Sequence, residues 1–426
     1  MSRIVLNTSG SLGDLHPYLA IGAELRRRGH EVVLASHPEY RERAEAEDLA
    51  FAPIGVDIAD LGPIDEVMRH AMARRTGSRY VLEKLVIAHL RRCVDDLLVA
   101  AEGCDLMVGH VVSLAGPIVA ERLRIPRVHS VLQPFAMFSV FDPPTQGVFG
   151  FVNWLHRRGP ATSRVLYGLA RVVSAPWFRP VNVERQRLGL APTRGHPLFD
   201  MWTPGLNLAL FSPLIAPPQP DWPEGTLATG FPMQSGPAHE ALPGPLREFL
   251  DAGEPPIVFT LGSAAVFDAG GFYTGAARAA SALGVRAVLL TGSGARNPVR
   301  GELLSERVVT CEYVPHGPLF ARAAAIVHQG GMGTTARALA SGRPMLVMPY
   351  SHDQPDNARR CVRLGVARVI ERERWDARAA ELELRALLGA PAYAASAREV
   401  AAKLAREDGS RAAADALERR LETLGS

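Results

Sequence analysis

Residues 3–36, RIVLNTSGSLGDLHPYLAIGAELRRRGHEVVLAS, narrow the fold more than any other feature of the chain. The unbroken apolar run Ile4, Val5, Leu6 reads as a strand covered on both faces, as in a parallel sheet. A glycine turn, SGSLGD, follows, and Leu19, Ile21 and Leu25 then recur at helical spacing until Gly29 ends the helix. Pro17 is placed where a first helical turn accepts proline. EVVLAS is the next strand, which completes a βαβ unit. The alternation continues through DLMVGHVV, a helix over 115–123 and IPRVHSVL. It resumes in PPIVFTLGSAA, RAVLLTGSG, RVVTCEYVP, AAIVHQGG and RPMLVMPY, with helices between. The expected fold class is therefore α/β. Two Rossmann-like, doubly wound parallel-sheet domains face each other across a cleft, the usual place for a ligand.

The stretch 136–215 is less regular and rich in Phe, Trp, Pro and Arg; GVFGFVNWLHRRGP and SRVLYGLARVVSAPWF read as helices with apolar faces. Pro- and Gly-rich sequence then marks a connection between domains. The expected boundaries are an N-terminal domain at 1–215, a linker at 216–254, a C-terminal domain at 255–405 and a last helix at 406–426. That helix has the N-terminal domain as a candidate packing partner. A length of 426 residues supports two cores of this size. A net charge of +3 gives no reason to expect a nucleic-acid partner. Cys93, Cys104, Cys311 and Cys361 form no C-x-x-C pair, so neither zinc nor a disulfide framework is indicated. The first residues lack the apolar core of a signal peptide, and no run of about 18 apolar residues occurs. A cytoplasmic bacterial protein is expected.

Residues 325–357 carry the chemistry: AIVHQGGMGTTARALASGRPMLVMPYSHDQPDN. A strand ends at His328, breaks at Gly330, Gly331 and Gly333, and restarts as a helix bearing Thr334 and Thr335. A helix N-terminus presents unpaired N–H groups and about half a positive charge. Glycines let the backbone approach an anion, and the imidazole is placed to add a hydrogen bond, so the turn suits a pyrophosphate. On its own such a turn is equally a plain structural one, and HDQPDN equally a polar helix cap. The Walker and G-x-G-x-x-G patterns are missing, which disfavours NAD. No D-x-D tripeptide occurs, so no metal is expected on the diphosphate.

The series H-x-G-G-x-G-T, G-x-P-M-L-V-x-P and H-D-Q-x-x-N-A resembles the C-terminal signature of family 1 glycosyltransferases. So do the opening SGSLGDLHPYLAIGAELRRRGHEVVLA, FTLGSAA and YVPHGPLF, and together they span nearly the whole chain. The nearest branches resemble bacterial rhamnosyltransferases of the rhamnolipid pathway and antibiotic-tailoring enzymes, on APPQPDWPEGTLATGFP and PPIVFTLGSAA.

The resemblance implies the GT-B fold and inverting, metal-independent transfer of a sugar from a nucleotide donor. It assigns Ser263, His328, Gly330, Gly331, Gly333 and Thr334 to the donor diphosphate, with Gly13 nearby, and Asp353 and Gln354 to sugar hydroxyls. Tyr313, Val314 and His316 fall in the base-binding segment. Tyr313 and His316 replace the usual Trp and Gln, which leaves thymine and uracil both open; a core position for Tyr313 is the competing reading. Asp14 takes the place of the general base, with His110 or His16 beside it; helix capping is the competing role for Asp14, and a core position for each histidine. Gln133, Phe135, Phe138, Phe141, Trp154 and Trp177 suggest an aromatic acceptor lining. The implied partners are a dTDP- or UDP-sugar, as co-substrate rather than cofactor, and an apolar small-molecule or lipid acceptor. A transient membrane contact through SRVLYGLARVVSAPWF is the alternative role for that helix. Rhamnose stands ahead of glucose as the sugar. The rivals are a sugar-nucleotide epimerase of the same fold and a non-catalytic partner of a transferase.

Overall fold

In the computed structural model, residues 1–234 and 241–425 are described. The chain divides into two compact units. One comprises Met1–Val67, Thr76–Gln234 and Glu407–Ser426; the other comprises Met68–Arg75 and Ser235–Arg406. Part of the expected linker at 216–254, residues 235–240, lies outside the described residues.

The first unit is built on a seven-stranded sheet. Its strands are β1 (Arg3–Asn7), β2 (Glu31–Ser36), β3 (Ala50–Pro53), β4 (Leu106–His110), β5 (Arg127–Val131), β6 (Asn207–Ala209) and β7 (Thr226–Ala228). All pairs are parallel, in the order β3-β2-β1-β4-β5-β6-β7. The inner strands are buried along nearly their whole length, as their continuous apolar sequence demands. Helix α1 (Leu12–Arg27) follows β1. It begins before Pro17, because Ser11 and Asp14 form a capping box that fixes the start at Leu12. Pro17 therefore sits inside the helix rather than in its first turn. Further on, α2 (Gly150–His156) and α3 (Pro160–Ser174) occupy the aromatic, arginine-rich stretch. The C-terminal helix Gly409–Gly425 packs Ala413, Ala414, Ala416 and Leu417 into the same core as Ile21 and Leu25 of α1.

The second unit carries a six-stranded sheet. Its strands are β8 (Ile257–Thr260), β9 (Ala287–Leu290), β10 (Val308–Cys311), β11 (Ala325–His328), β12 (Met345–Val347) and β13 (Ala367–Val369). They are all parallel, in the order β10-β9-β8-β11-β12-β13. Helix α4 (Met332–Ala340) follows β11 and α5 (Gln354–Arg363) follows β12.

Both sheets reverse their strand order once, between β1 and β4 and between β8 and β11. At such a reversal the loops leaving the two carboxyl ends diverge and open a crevice, where ligands of open α/β sheets bind. Asp14 and His110 lie at the first of these places, and Ser263 and the turn from His328 to Gly333 at the second.

Candidate functional site

In the first unit, β1 delivers the chain into the turn Thr8–Ser11 and on to Asp14 in the first turn of α1. Asp14 Oδ2 accepts hydrogen bonds from the Ser11 backbone N–H at 2.8 Å and the Ser11 hydroxyl at 3.2 Å. Gly10 has φ +126°, and a Cβ there would lie 2.4 Å from Asp14 Oδ2, so only glycine leaves room for the carboxylate. The other oxygen, Oδ1, lies 3.6 Å from Nε2 of His110 at the end of β4. That is longer than a hydrogen bond, and both ring nitrogens are sealed from solvent without a partner. Burial lowers the His110 pKa, while Asp14 and the Ser9 backbone pull it upward. Asp14 itself stays 28% exposed. The result is a carboxylate held on one oxygen, open on the other, beside a neutral imidazole.

The fold brings Asp14 to His110 across the β1–β4 reversal. His16, two residues along α1 from Asp14, is turned about 200° away from it by the helical period. The amide of Gly13 is engaged locally, donating to the Ser11 hydroxyl at 3.3 Å.

The expected aromatic lining separates into two groups. Phe138, with a left-handed φ of +49°, packs against Phe135, Tyr167 and Phe199, with ring centroids 4.5 to 6.2 Å away. Asp221 fixes the following loop, accepting from the Ser139 hydroxyl at 2.7 Å and the Val140 N–H at 2.6 Å. Trp154 instead stacks on Phe151 at 5.6 Å, with Arg158 over its ring, and both aromatics are exposed. Phe141 is likewise exposed, Trp177 lies under Arg79, and Gln133 is half-buried at the end of β5. Tyr167, Phe199 and Asp221 escape a reading of the sequence, because Phe138 and Ser139, which they contact, lie 28 to 82 residues away.

In the second unit, β8 leads into Leu261–Gly262–Ser263, and β11 ends at His328 and leads into Gln329, Gly330 and Gly331. Gly330 has φ +87°, and a Cβ on it would stand 3.0 Å from Val347 and 3.1 Å from the Gln354 carbonyl. Gly331 starts α4 without a side-chain cap, so the first-turn amides remain unoccupied by a cap. Thr334 in that turn is buried, and Thr335 donates back to the Gly331 carbonyl at 3.0 Å.

His328 departs from the expected arrangement. It is fully buried; its Nδ1 accepts the Gly330 N–H at 3.0 Å and its Nε2 lies 3.3 Å from the Met345 sulfur. Both ring nitrogens are thus engaged inside the protein. Burial, with His316 second, pushes the pKa down to about 3, so the ring is neutral at physiological pH. It carries no charge for an anion and instead shapes the turn that would hold one.

Asn357 ties the site together. Its Nδ2 donates to the Gly330 carbonyl at 2.9 Å and to Asp353 Oδ2 at 2.6 Å. Gln354 Oε1 accepts from the Tyr350 N–H at 2.9 Å, which leaves the donor end of that amide for other partners. His352, immediately before, has φ +57°, a conformation that costs a non-glycine residue of order 1 kcal/mol and is common at binding sites. In the segment after β10, Tyr313 is 60% exposed and so is not a core residue, whereas Val314 is buried and offers only its backbone. His316 stacks on Phe320 at 4.6 Å; burial, with Arg337 second, lowers its pKa to about 4.

Comparison with known proteins agrees with both halves. Residues 4–141 match the glycosyltransferase family 28 N-terminal domain, and residues 302–421 match the erythromycin biosynthesis protein CIII-like C-terminal domain. The chain is 32% identical over 417 residues to O-mycaminosyltylonolide 6-deoxyallosyltransferase of Streptomyces fradiae, covering 96% of this chain and 94% of that one. It is 28% identical over 400 residues to a sterol 3-beta-glucosyltransferase of Cryptococcus neoformans var. neoformans serotype D, covering 87% of this chain but 24% of the longer relative. The solved structure of the spinosyn rhamnosyltransferase SpnG complexed with thymidine diphosphate superimposes with a TM-score of 0.66 at 21% identity, covering 99% of this chain and 100% of that one. The chain therefore belongs to the GT-B glycosyltransferases that join a family 28 N-terminal domain to an erythromycin-CIII-like C-terminal domain. It is a transferase.

Proposed function

We propose that the protein moves a hexose or deoxyhexose, rhamnose ahead of glucose, from a dTDP- or UDP-sugar to a hydroxyl of an apolar acceptor, with inversion and without a metal. The Asp14–His110 pair at the β1–β4 reversal is the observation that carries this reading. Asp14 Oδ1 takes the proton of the acceptor hydroxyl. The oxygen of the acceptor hydroxyl, freed of that proton, then bonds to the anomeric carbon as the carbon–oxygen bond to the diphosphate breaks on the opposite face. The nucleoside diphosphate leaves with the bonding electrons. Ser11 holds the carboxylate through its other oxygen, and neutral His110 borders it without adding charge.

The donor diphosphate is assigned to the first-turn amides of α4 with Ser263 and Thr334, on a turn shaped by His328. Asp353 and the donor end of Gln354 are assigned to sugar hydroxyls. The names of the similar proteins support a macrolide-like or sterol-like acceptor. Phe135, Phe138, Tyr167 and Phe199 supply an apolar surface of that kind. A passing membrane contact fits the outer face of α3, where Val165, Leu169 and Val172 are exposed, with Arg164 and Arg171 on the same helix. No helix among the described residues is long and apolar enough to cross a membrane.

Thermal-shift screening tests the donor. A bound donor stabilises by mass action, about 2.7 kcal/mol at a hundred times Kd. dTDP-rhamnose, dTDP-glucose and UDP-glucose should raise Tm selectively; no shift at millimolar concentration would contradict the reading. Release of free nucleoside diphosphate only when an acceptor is added separates transfer from epimerisation.

A further inference from the structure

From the side chain between the two glycine turns of the second unit, we infer that Gln329 is a donor-binding residue, its Nε2 donating to a phosphate oxygen of the nucleotide-sugar. This rests on the donor-site reading above. Gln329 directly follows β11 and is only 6% exposed. Its Nε2 lies where two absent side chains would project: a Cβ on Gly262 would be 2.3 Å from it, and a Cβ on Gly331 would be 2.8 Å from it. Gly262, at φ +66°, precedes Ser263, and Gly331 starts α4. The carboxamide thus bridges the two loops that diverge at the β8–β11 reversal.

The two ends of that carboxamide are unlike. Oε1 is sealed from solvent with no hydrogen-bond partner, while Nε2 is not among the sealed, unpartnered atoms. A buried acceptor left unpaired is unfavourable, and an apolar side chain of the same shape would fill the space without that cost. A role in packing alone does not explain a carboxamide here. A role for its N–H donors does, because His328, its neighbour in the turn, is neutral and offers an anion no charge. Gly262 and Gly331, which look like glycines kept small for the phosphate, also keep room for the Gln329 amide.

Calorimetric titration with thymidine diphosphate and uridine diphosphate tests this on four variants, with Tm recorded for each. Gln329→Leu keeps the volume and removes the donor; it should weaken binding about tenfold, as expected for a hydrogen bond to a charged group. Gln329→Ala should do the same. Gln329→Glu turns the group into an anion and should weaken binding further, by on the order of a hundredfold at low salt, with partial recovery as salt screens the repulsion. Gln329→Asn withdraws the amide by one methylene and should fall between the parent and Leu. Binding by Leu or Glu equal to the parent overturns the inference. Failure of all four variants to fold, Asn included, would show that the carboxamide serves the fold and would also overturn it. If the parent itself binds neither diphosphate, the donor-site reading falls and takes this inference with it; parent binding indifferent to residue 329 removes this inference alone.

Discussion

The two units use one architectural device for opposite chemistry. Each sheet reverses its strand order once, with Asp14 and His110 at one reversal and Ser263 and the His328–Gly333 turn at the other. In the first unit the reversal holds an anion of the protein itself, the partly exposed Asp14 carboxylate, next to a buried imidazole. In the second it holds neutral donors: amides, hydroxyls, a carboxamide, and a histidine pushed by burial to a pKa of about 3. Glycine has a different task in each place. Gly10 makes room for a protein carboxylate, whereas Gly331 begins α4 without a side-chain cap and leaves its first-turn amides open. A shared topology supplies the crevice, and in the proposed function a few side chains decide whether it removes a proton or grips a diphosphate.

The contrast can be broken one side at a time. Gly10→Ala forces a Cβ against Asp14 Oδ2 at a strained φ and should displace the base; turnover should fall on the order of a hundredfold, with nucleoside diphosphate affinity within about twofold of the parent. Steady-state kinetics and calorimetry on the same sample check it. Asn357→Ala removes the link between the Gly330 carbonyl and Asp353, leaving buried groups unpaired at a cost of about 1–3 kcal/mol. Its effect should appear as a raised donor KM and a lowered Tm, with kcat changed less.

Acid gives a smaller, graded effect. His328 and His316 have folded pKa values lowered to about 3 and about 4, against 6.5 for an unperturbed imidazole. Between those values the unfolded chain binds more protons than the folded one, so stability rises with pH there and is lost as pH falls below about 6.5. A Tm series from pH 8 to pH 4 should be flat above neutrality and then decline; His328→Gln should flatten the decline. Smallest of all, Val172→Ser on the exposed face of α3 should change Tm by no more than about 0.5 kcal/mol equivalent, and leave turnover of a water-soluble acceptor unchanged.

What the sequence discloses depends on how local the cause is. The βαβ alternation and the order glycine turn, His328, Asp353 are spacings along one chain, and they are visible without coordinates. The start of α1 was also within reach: the Ser11–Asp14 capping box outweighs the proline that suggests a later start. β7 hides because three residues, TLA, flanked by Pro and Gly give almost no periodic signal. The contact of His328 with Met345, the Asn357 link to Gly330 and the approach of Gln329 to Gly262 all depend on packing between loops distant in sequence. The neutral state of His328 follows from burial, which no motif encodes.

The division of labour between the two reversals is tested most directly by Asp14→Asn, because asparagine keeps the shape and an acceptor oxygen for Ser11. Turnover and donor affinity should be measured on one preparation with its Tm. Turnover reduced on the order of a hundredfold or more, with nucleoside diphosphate affinity and Tm near those of the parent, is the expected result. Near-normal turnover, or a loss of donor affinity as large as the loss of turnover, would contradict it.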